Sequence, residues 1–378
     1  MHPSSRQIAT ASLRSLLGVL CAIAAAGPLN AGADPAFLSG LHKTSAVTLT
    51  VPDNGDQNPY AVVVAPASAG KISKGDVLVD NFNNQGNLQG VGTTIVDYDP
   101  AASQLSLFAQ IPRGLARCPG GVGLTTAMTM LTSGWVIVGS LPSQDGTTRT
   151  KGAGCLIVLD SSGQVAGTIA GPMINGPWGN MAVIDHGDSA ILFVSNAGFE
   201  VGAPGQAIID KATVLRIALS IPAGGKPSVT SQTVIADGLA EQADAGAFII
   251  GPTGLALDPK GTLYVSDALN NRIVAIPDAA TRTDSAGTGN TVSKGGELAR
   301  PLAMVRAPNG DLVVTNGLNG KAVEVDPATG KQVATRWLNA DKAQEPPGSG
   351  NLFGIALTAE GDGLYYVQDD VNNLAVAR

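Results

Sequence analysis

The chain has 378 residues, 44% hydrophobic and only 14% charged, with 48 glycines and 23 prolines. Such a composition buries a large core and turns often, which excludes a disordered or coiled-coil protein. The net charge of −7 argues against nucleic acid or anionic lipid as a partner, because an acidic exterior repels both.

Residues 1–33 read as an export signal. Arg6 and Arg14 precede an apolar run from Leu16 to Ala26, and Ala31-Gly32-Ala33 suits cleavage before Asp34. The run is too short to stay in a bilayer as a spanning helix. Cys21 suggests lipidation, but Val19-Leu20 stand before it where a small residue is expected. Cleavage removes two arginines and no acid, taking the charge from −7 to −9. The expected location is therefore the periplasm or the exterior, with one domain over residues 34–378. Cys118 and Cys155 remain, and in an oxidising compartment the default is a disulfide between them.

Residues 45–51, SAVTLTV, alternate polar and apolar and predict a strand with no sequence neighbour to pair with. From Asn58 a unit recurs six times: a Gly/Pro-rich start, an inner strand, a turn, and a second strand rich in Val, Leu and aromatics. The second strands are DVLVDN (76–81), WVIVGS (135–140), ILFVSN (191–196), TLYVSD (262–267), DLVVTN (311–316) and LYYVQD (364–369). Residues 251–273, GPTGLALDPKGTLYVSDALNNRI, superpose without a gap on residues 300–322, RPLAMVRAPNGDLVVTNGLNGKA, placing Pro252 on Pro301, Gly261 on Gly310, Asp267 on Asn316 and Asn270 on Asn319. Third and fourth strands follow in most units. The sixth ends at Arg378 after NLAVAR, with no residues left for a fourth strand. The strand at 45–51 can supply it, closing the ring and removing open sheet edges. The predicted fold is all-β, a six-bladed propeller closed by its N-terminal strand.

GTLYVSDALNNRI at 261–273 resembles the NHL repeat, and the six-unit ring is similar to gluconolactonase-like and streptogramin-lyase-like propellers. The resemblance covers essentially the whole mature chain. It implies the fold more firmly than an activity, since this architecture carries many chemistries. Lactonases of this kind imply Glu, Asn and Asp at the starts of the inner strands. Here those positions carry Tyr60, Leu124, Trp178, Thr253, Leu302 and Phe353, which cannot hold a divalent ion and instead suit an apolar ligand or a packed plug.

The second strands end on Asn81, Ser140, Asn196, Asp267, Asn316 and Asp369. These form either a ring of oxygens at the channel mouth, suited to calcium or another divalent cation with Asp267 and Asp369 as its charged members, or turn caps such as Asp267 with Asn270. DNFNNQGN at 80–87 has oxygens on Asn81, Asn83 and Gln85, but Gly92 stands where a calcium loop needs its closing acid. His42 precedes the first strand and His186 lies by strand polarity on the face opposite the mouth, which weakens a lyase mechanism, and no G-x-S-x-G, H-E-x-x-H, P-loop or C-x-x-C spacing occurs. Long connections at 197–211, 236–250 and 339–350 should gather at the mouth, bringing Glu200, Asp210, Glu241, Asp244, Asp341 and Glu345. The leading expectation is a binding module that takes a small molecule, glycan or protein on this face through Asn81, Asn196, Asp267, Asn316, Asp369 and Trp178. The alternative is a divergent cation-dependent lactonase, other hydrolase or lyase at the same mouth.

Overall fold

The structure is a computed structural model that describes residues 35–378; the predicted export signal and Cys21 lie outside the described residues. Its strands assemble into six separate antiparallel sheets. Strand β1 (Thr44–Leu49) comes first. Blade one is β2 (Gln57–Val64), β3 (Val77–Asn83), β4 (Thr94–Asp99) and β5 (Gln104–Gln110), and blade two is β6 (Leu124–Met130), β7 (Val136–Ser140), β8 (Cys155–Leu159) and β9 (Val165–Ile169). Blade three has five strands: β10 (Ala182–Asp185), β11 (Ser189–Asn196), β12 (Ile209–Ser220), β13 (Ser228–Asp244) and β14 (Phe248–Ile250). Blade four is β15 (Pro252–Leu257), β16 (Leu263–Asp267), β17 (Arg272–Ile276) and β18 (Asn290–Lys294), and blade five is β19 (Pro301–Arg306), β20 (Leu312–Asn316), β21 (Lys321–Val325) and β22 (Gln332–Trp337). Blade six is β23 (Leu352–Leu357), β24 (Leu364–Gln368) and β25 (Asn373–Ala377), completed by β1 along β25. The predicted closure is therefore present.

Burial grades outward along each blade. The second strands of blades one, two, four and five are buried on both faces, because neighbouring blades cover each sheet on both sides; the outermost β22 alternates with solvent. That is why second strands read as unbroken apolar runs and fourth strands do not. The internal repeat holds at the level of register: Pro252 pairs with Asp267 and Pro301 with Asn316, each followed by the same irregularity three residues on. The inner strands approach one another closely. A Cβ on Gly179 would lie 1.6 Å from the Thr253 carbonyl oxygen, on Gly254 2.3 Å from that of Leu302, and on Gly354 2.2 Å from that of Tyr60, so only glycine fits.

Cys118 and Cys155 form the expected disulfide, which ties the segment leading into blade two to the start of β8. The single helical turn α1 (Phe37–Gly40) docks by donating the Phe37 and Leu38 amides to the Glu324 carboxylate, 2.7 Å each.

Two expectations need correction. The connections at 197–211 and 236–250 are not plain loops: β12 begins at Ile209, β13 runs on to Asp244, and β14 turns back beside it. The residues of β13 beyond Ala236 keep donors and acceptors paired by extending the ribbon, which the mixed composition ADGLAEQAD does not signal. The outer strand of blade four, β18, was also missed, since NTVSK is short and polar.

Candidate functional site at the channel mouth

Antiparallel pairing puts the start of each inner strand beside the end of its second strand: Pro59 opposite Asn81, Leu124 opposite Ser140, Pro177 opposite Asn196, Pro252 opposite Asp267, Pro301 opposite Asn316, and Leu352 opposite Gln368. These twelve positions share one face, the channel mouth.

The channel beneath is filled. Tyr60 stacks between Phe82 (ring centroids 4.5 Å) and Phe353 (4.0 Å), with Trp178 edge-on at 6.0 Å. Leu124, Thr253 and Leu302 are buried as well. Deeper down, Asn180 crosses between blades: its amide nitrogen donates to the carbonyls of Leu255 and Met304, and its oxygen accepts from both their amides. Of the two expectations for these positions, a packed plug is what the structure contains.

The β13–β14 hairpin folds over the plug. The Asp244 carboxylate accepts from the Gly246 and Ala247 amides, both at 2.9 Å, which fixes the turn. Phe248 then inserts with φ +65°, 5.5 Å from Phe82 and 6.4 Å from Trp178. The tip is held from two further blades, by Gln89 donating to the Ala245 carbonyl at 2.9 Å and by Arg300 pairing with Asp244 at 3.1 Å.

The polar ring does not act as one unit. Asn196 accepts the Asn175 and Gly176 amides and donates to Met173 O and Thr213 Oγ1. Asp267 is fully buried, paired with Arg272 at 2.7 Å and bonded by Asn270, so its charge is already neutralised. Asn316 accepts from the Ala299 amide and donates to Glu297 O and Asn319 Oδ1. Ser140 accepts from Gly123 and donates to Gly121 O. Asn81 donates to Thr50 O and Thr94 Oγ1, its own oxygen unpartnered. Trp178 belongs to the aromatic plug. These bonds are the turn-capping alternative raised by the sequence.

Asp369 differs. It is 9% exposed and its Oδ1 has no partner. It lines a cavity of about 270 Å³ between blades six and one, with Gln57, Asn58, Asn83, Asn87, Gln89, Gly246, Asp370 and Asn372. Burial first, then the neighbouring Asp370, holds its carboxyl well above the ordinary range. Asn83 Oδ1 and Gln89 Oε1 are also unpartnered. Within the 80–87 segment, Asn83 faces this cavity whereas Gln85 lines a separate cleft with Asp56 and Arg113, so the segment does not wrap one centre.

Of two further buried acids, Asp80 was missed and Glu241 was named only among the acids of the long connections. One position before the end of the second strands, Ser195, Ser266 and Thr315 serve as links between inner strands: Ser195 accepts the Gly179 amide, Ser266 accepts Gly254 and donates to Leu302 O, and Thr315 donates to Phe353 O. Blade one has Asp80 there, accepting the Ala61 amide at 2.8 Å with Oδ2 unpartnered, and burial raises its carboxyl to about 8. The aligned second strands carried this signal, an acid where other units have Ser, Thr, Gly or Gln. Glu241, on the extended part of β13, is raised to about 7 by burial although the Gly198 amide bonds it and Lys151 lies near; Lys151 is itself lowered by burial. Among the described residues no three His, Cys, Asp or Glu side chains cluster as a metal-binding group.

A six-bladed propeller with a plugged channel and a polar mouth is thus the class of protein the fold defines. No family model and no curated protein matches the chain. Solved structures share the fold: a gluconolactonase from Xanthomonas campestris (14% identity, TM-score 0.51, covering 89% of this chain and 95% of that one), the PQQ-bound aldose sugar dehydrogenase from Streptomyces coelicolor (15%, 0.51, 89% and 97%), and a luciferin-regenerating enzyme (11%, 0.50, 89% and 94%). At these identities the likeness is one of architecture.

Proposed function

We propose that the protein is an enzyme of hydrolytic type that opens a small oxygen-rich lactone or ester at the mouth cavity between blades six and one. The observation that carries this is Asp369, a buried carboxyl at the wall of an amide-lined cavity with one oxygen unengaged. Buried polar groups are normally satisfied, and those that are not concentrate where a ligand completes them. In the reaction, water adds to the substrate carbonyl and the ring or alkyl oxygen leaves, giving a hydroxy acid or an acid and an alcohol. The amides of Gln57, Asn83 and Asn87 orient a hydroxylated substrate, and Asp369 places a carboxyl beside it. A divalent cation belongs to this reading as the group that would polarise the carbonyl. The shared architecture with a gluconolactonase is consistent with it. The export signal and acidic exterior direct the search for substrate to the periplasm or beyond, which cell fractionation checks.

The test is a panel of aldonolactones, acyl lactones and aryl esters, assayed with the wild type and with Asp369→Asn. Turnover on at least one class, reduced about 100-fold in the variant, is the expected outcome. No turnover on any class sinks the reading. The second reading is a non-catalytic binding module, favoured by the buried residues at the inner-strand starts, where no acid is present. Ligand-induced thermal stabilisation without turnover would select it.

A further inference from the structure

We propose that the groove between the outer strands of blades two and three binds an organic anion with an apolar body, held by Arg117 and Lys226. The groove shares no residue with the mouth cavity, and the inference does not depend on hydrolysis.

The groove exists because one side chain is missing from a packed layer. Val158 of β8 and Ile169 of β9 belong to the buried apolar layer that joins these blades, together with Ile217 and Leu219 of β12. Side chains two apart on a strand share a face, so Gly167, which lies opposite Val158, stands in the same row as Ile169. It brings nothing to the layer: a Cβ there would meet no atom closer than Lys226 Nζ at 4.0 Å. Radially arranged sheets diverge towards the rim, and here the gap stays open as a groove of about 860 Å³. That is the size of small-molecule sites.

Its charge is opposite to that of the chain. The protein carries a net −7, yet among the described residues the charged groups lining the groove are Arg117 and Lys226, with no acid. Neither takes part in an ion pair among the described residues. Both are brought to one stretch of β9. Lys226 Nζ donates to the Ala166 carbonyl at 3.4 Å, and Thr168 Oγ1 donates at 3.0 Å to the carbonyl of Ala116, the residue before Arg117. The two points of attachment are separated by about 7 Å along the strand. Arg117 itself is held at φ +66°, a conformation that a residue with a side chain keeps only where its surroundings impose it. Those surroundings are the Thr168 bond on one side and, on the other, Cys118, whose disulfide to Cys155 ties the segment to β8.

Two unpaired cations above an apolar floor suit a carboxylate or sulfonate carried on an alkyl or aromatic body. The head engages the guanidinium and the ammonium, while the body covers Val158, Ile169 and the exposed Val229 at the rim. An inorganic anion would leave the floor uncovered, and a neutral amphiphile would leave the cations unengaged.

The experiment is calorimetric titration of the disulfide-intact protein at low ionic strength with sodium decanoate and with sodium 2-naphthoate. Decyltrimethylammonium bromide serves as the cation of matched tail. At least one anion should bind with a dissociation constant of about 0.1–1 mM, and the cation at least about tenfold more weakly. The tighter of the two anions tells whether the body is alkyl or aromatic. Arg117→Gln and Lys226→Gln should each weaken the anion about fivefold. Gly167→Val fills the gap with a side chain that favours a strand, so affinity should fall at least about tenfold while the thermal midpoint holds or rises. Should that variant melt early, Val229→Asp on the exposed rim makes the same test by setting a like charge against the head, with a loss of about fivefold or more expected. Failure of both anions to bind overturns the proposal. So does a cation that binds as tightly as they do, or an affinity indifferent to filling the groove and to removing its charges.

Discussion

Asp80 shows how a single residue can be out of keeping with its repeat and still be accommodated. Its equivalent in blade four, Ser266, is a hydroxyl that accepts from one inner strand and donates to the next. A carboxylate cannot donate, but a protonated carboxyl can, and burial keeps the proton on up to about pH 8. The sign of the resulting pH dependence follows from the raised value. The stabilisation from the protonated form is fully present below the unfolded value near 4. It declines at about 1.4 kcal/mol per pH unit as pH rises, and is gone above about 8. Asp80→Asn keeps the shape, supplies a permanent donor and removes the titration. Its thermal midpoint should therefore gain on the wild type steadily from pH 4 to pH 8 and hold that advantage at pH 9. Parallel midpoint curves across this range would contradict the assignment. Glu241 should contribute a smaller decline of the same sign, from about pH 4.5 to about 7, and Glu241→Gln should flatten it.

At the scale of elements, the β13–β14 hairpin is the feature that sets this propeller's mouth. It contributes Phe248 to a plug otherwise made by the inner and second strands, and its tip is anchored by residues from blades one and five. Phe248→Ala should cost about 3–5 kcal/mol, read as a drop in the denaturation midpoint, because it opens a cavity against Phe82 and Trp178. Arg300→Ala removes only a partly exposed ion pair and should cost less than about 1 kcal/mol. If the two variants lose equal stability, the hairpin is held by its tip and not by its aromatic anchor. The N-terminal elements make a second case. Glu324 receives two amides of α1 and the Asn309 side chain in a fully buried setting. Glu324→Ala should release residues 35–41 to proteolysis while β1 stays paired to β25, visible as early trypsin cleavage at Lys43 with the ring intact.

For the molecule as a whole, stability depends on closing a ring of six similar sheets. The β1–β25 pairing does this with backbone hydrogen bonds between the two ends of the described chain. Deleting residues 35–50 should leave β25 as a bare edge and produce aggregation on refolding. The disulfide closes a segment of 37 residues between Cys118 and Cys155. Replacing both with serine should cost about 4 kcal/mol in the chain-entropy account, lowering the denaturation midpoint without altering far-ultraviolet dichroism.

The periodicity of second strands, the gapless match of 251–273 with 300–322, and the strand at 45–51 without a sequence neighbour were enough to predict the six-bladed ring and its closure. Those signals are local and repeat, so one chain states them several times. The candidate site was only partly legible. Asp369 was among the marked positions, but Asp267, indistinguishable from it in the aligned strands, proved to be neutralised by Arg272. Asn83 was noticed in the wrong company, and Gln89 not at all. Which acid is left unpartnered depends on blades meeting across nearly 290 residues of chain and on a hairpin folding over the channel from blade three. A sequence states which side chains carry oxygen; only the tertiary arrangement decides which of those oxygens find a partner, because the satisfied ones and the free ones differ in their neighbours and not in themselves.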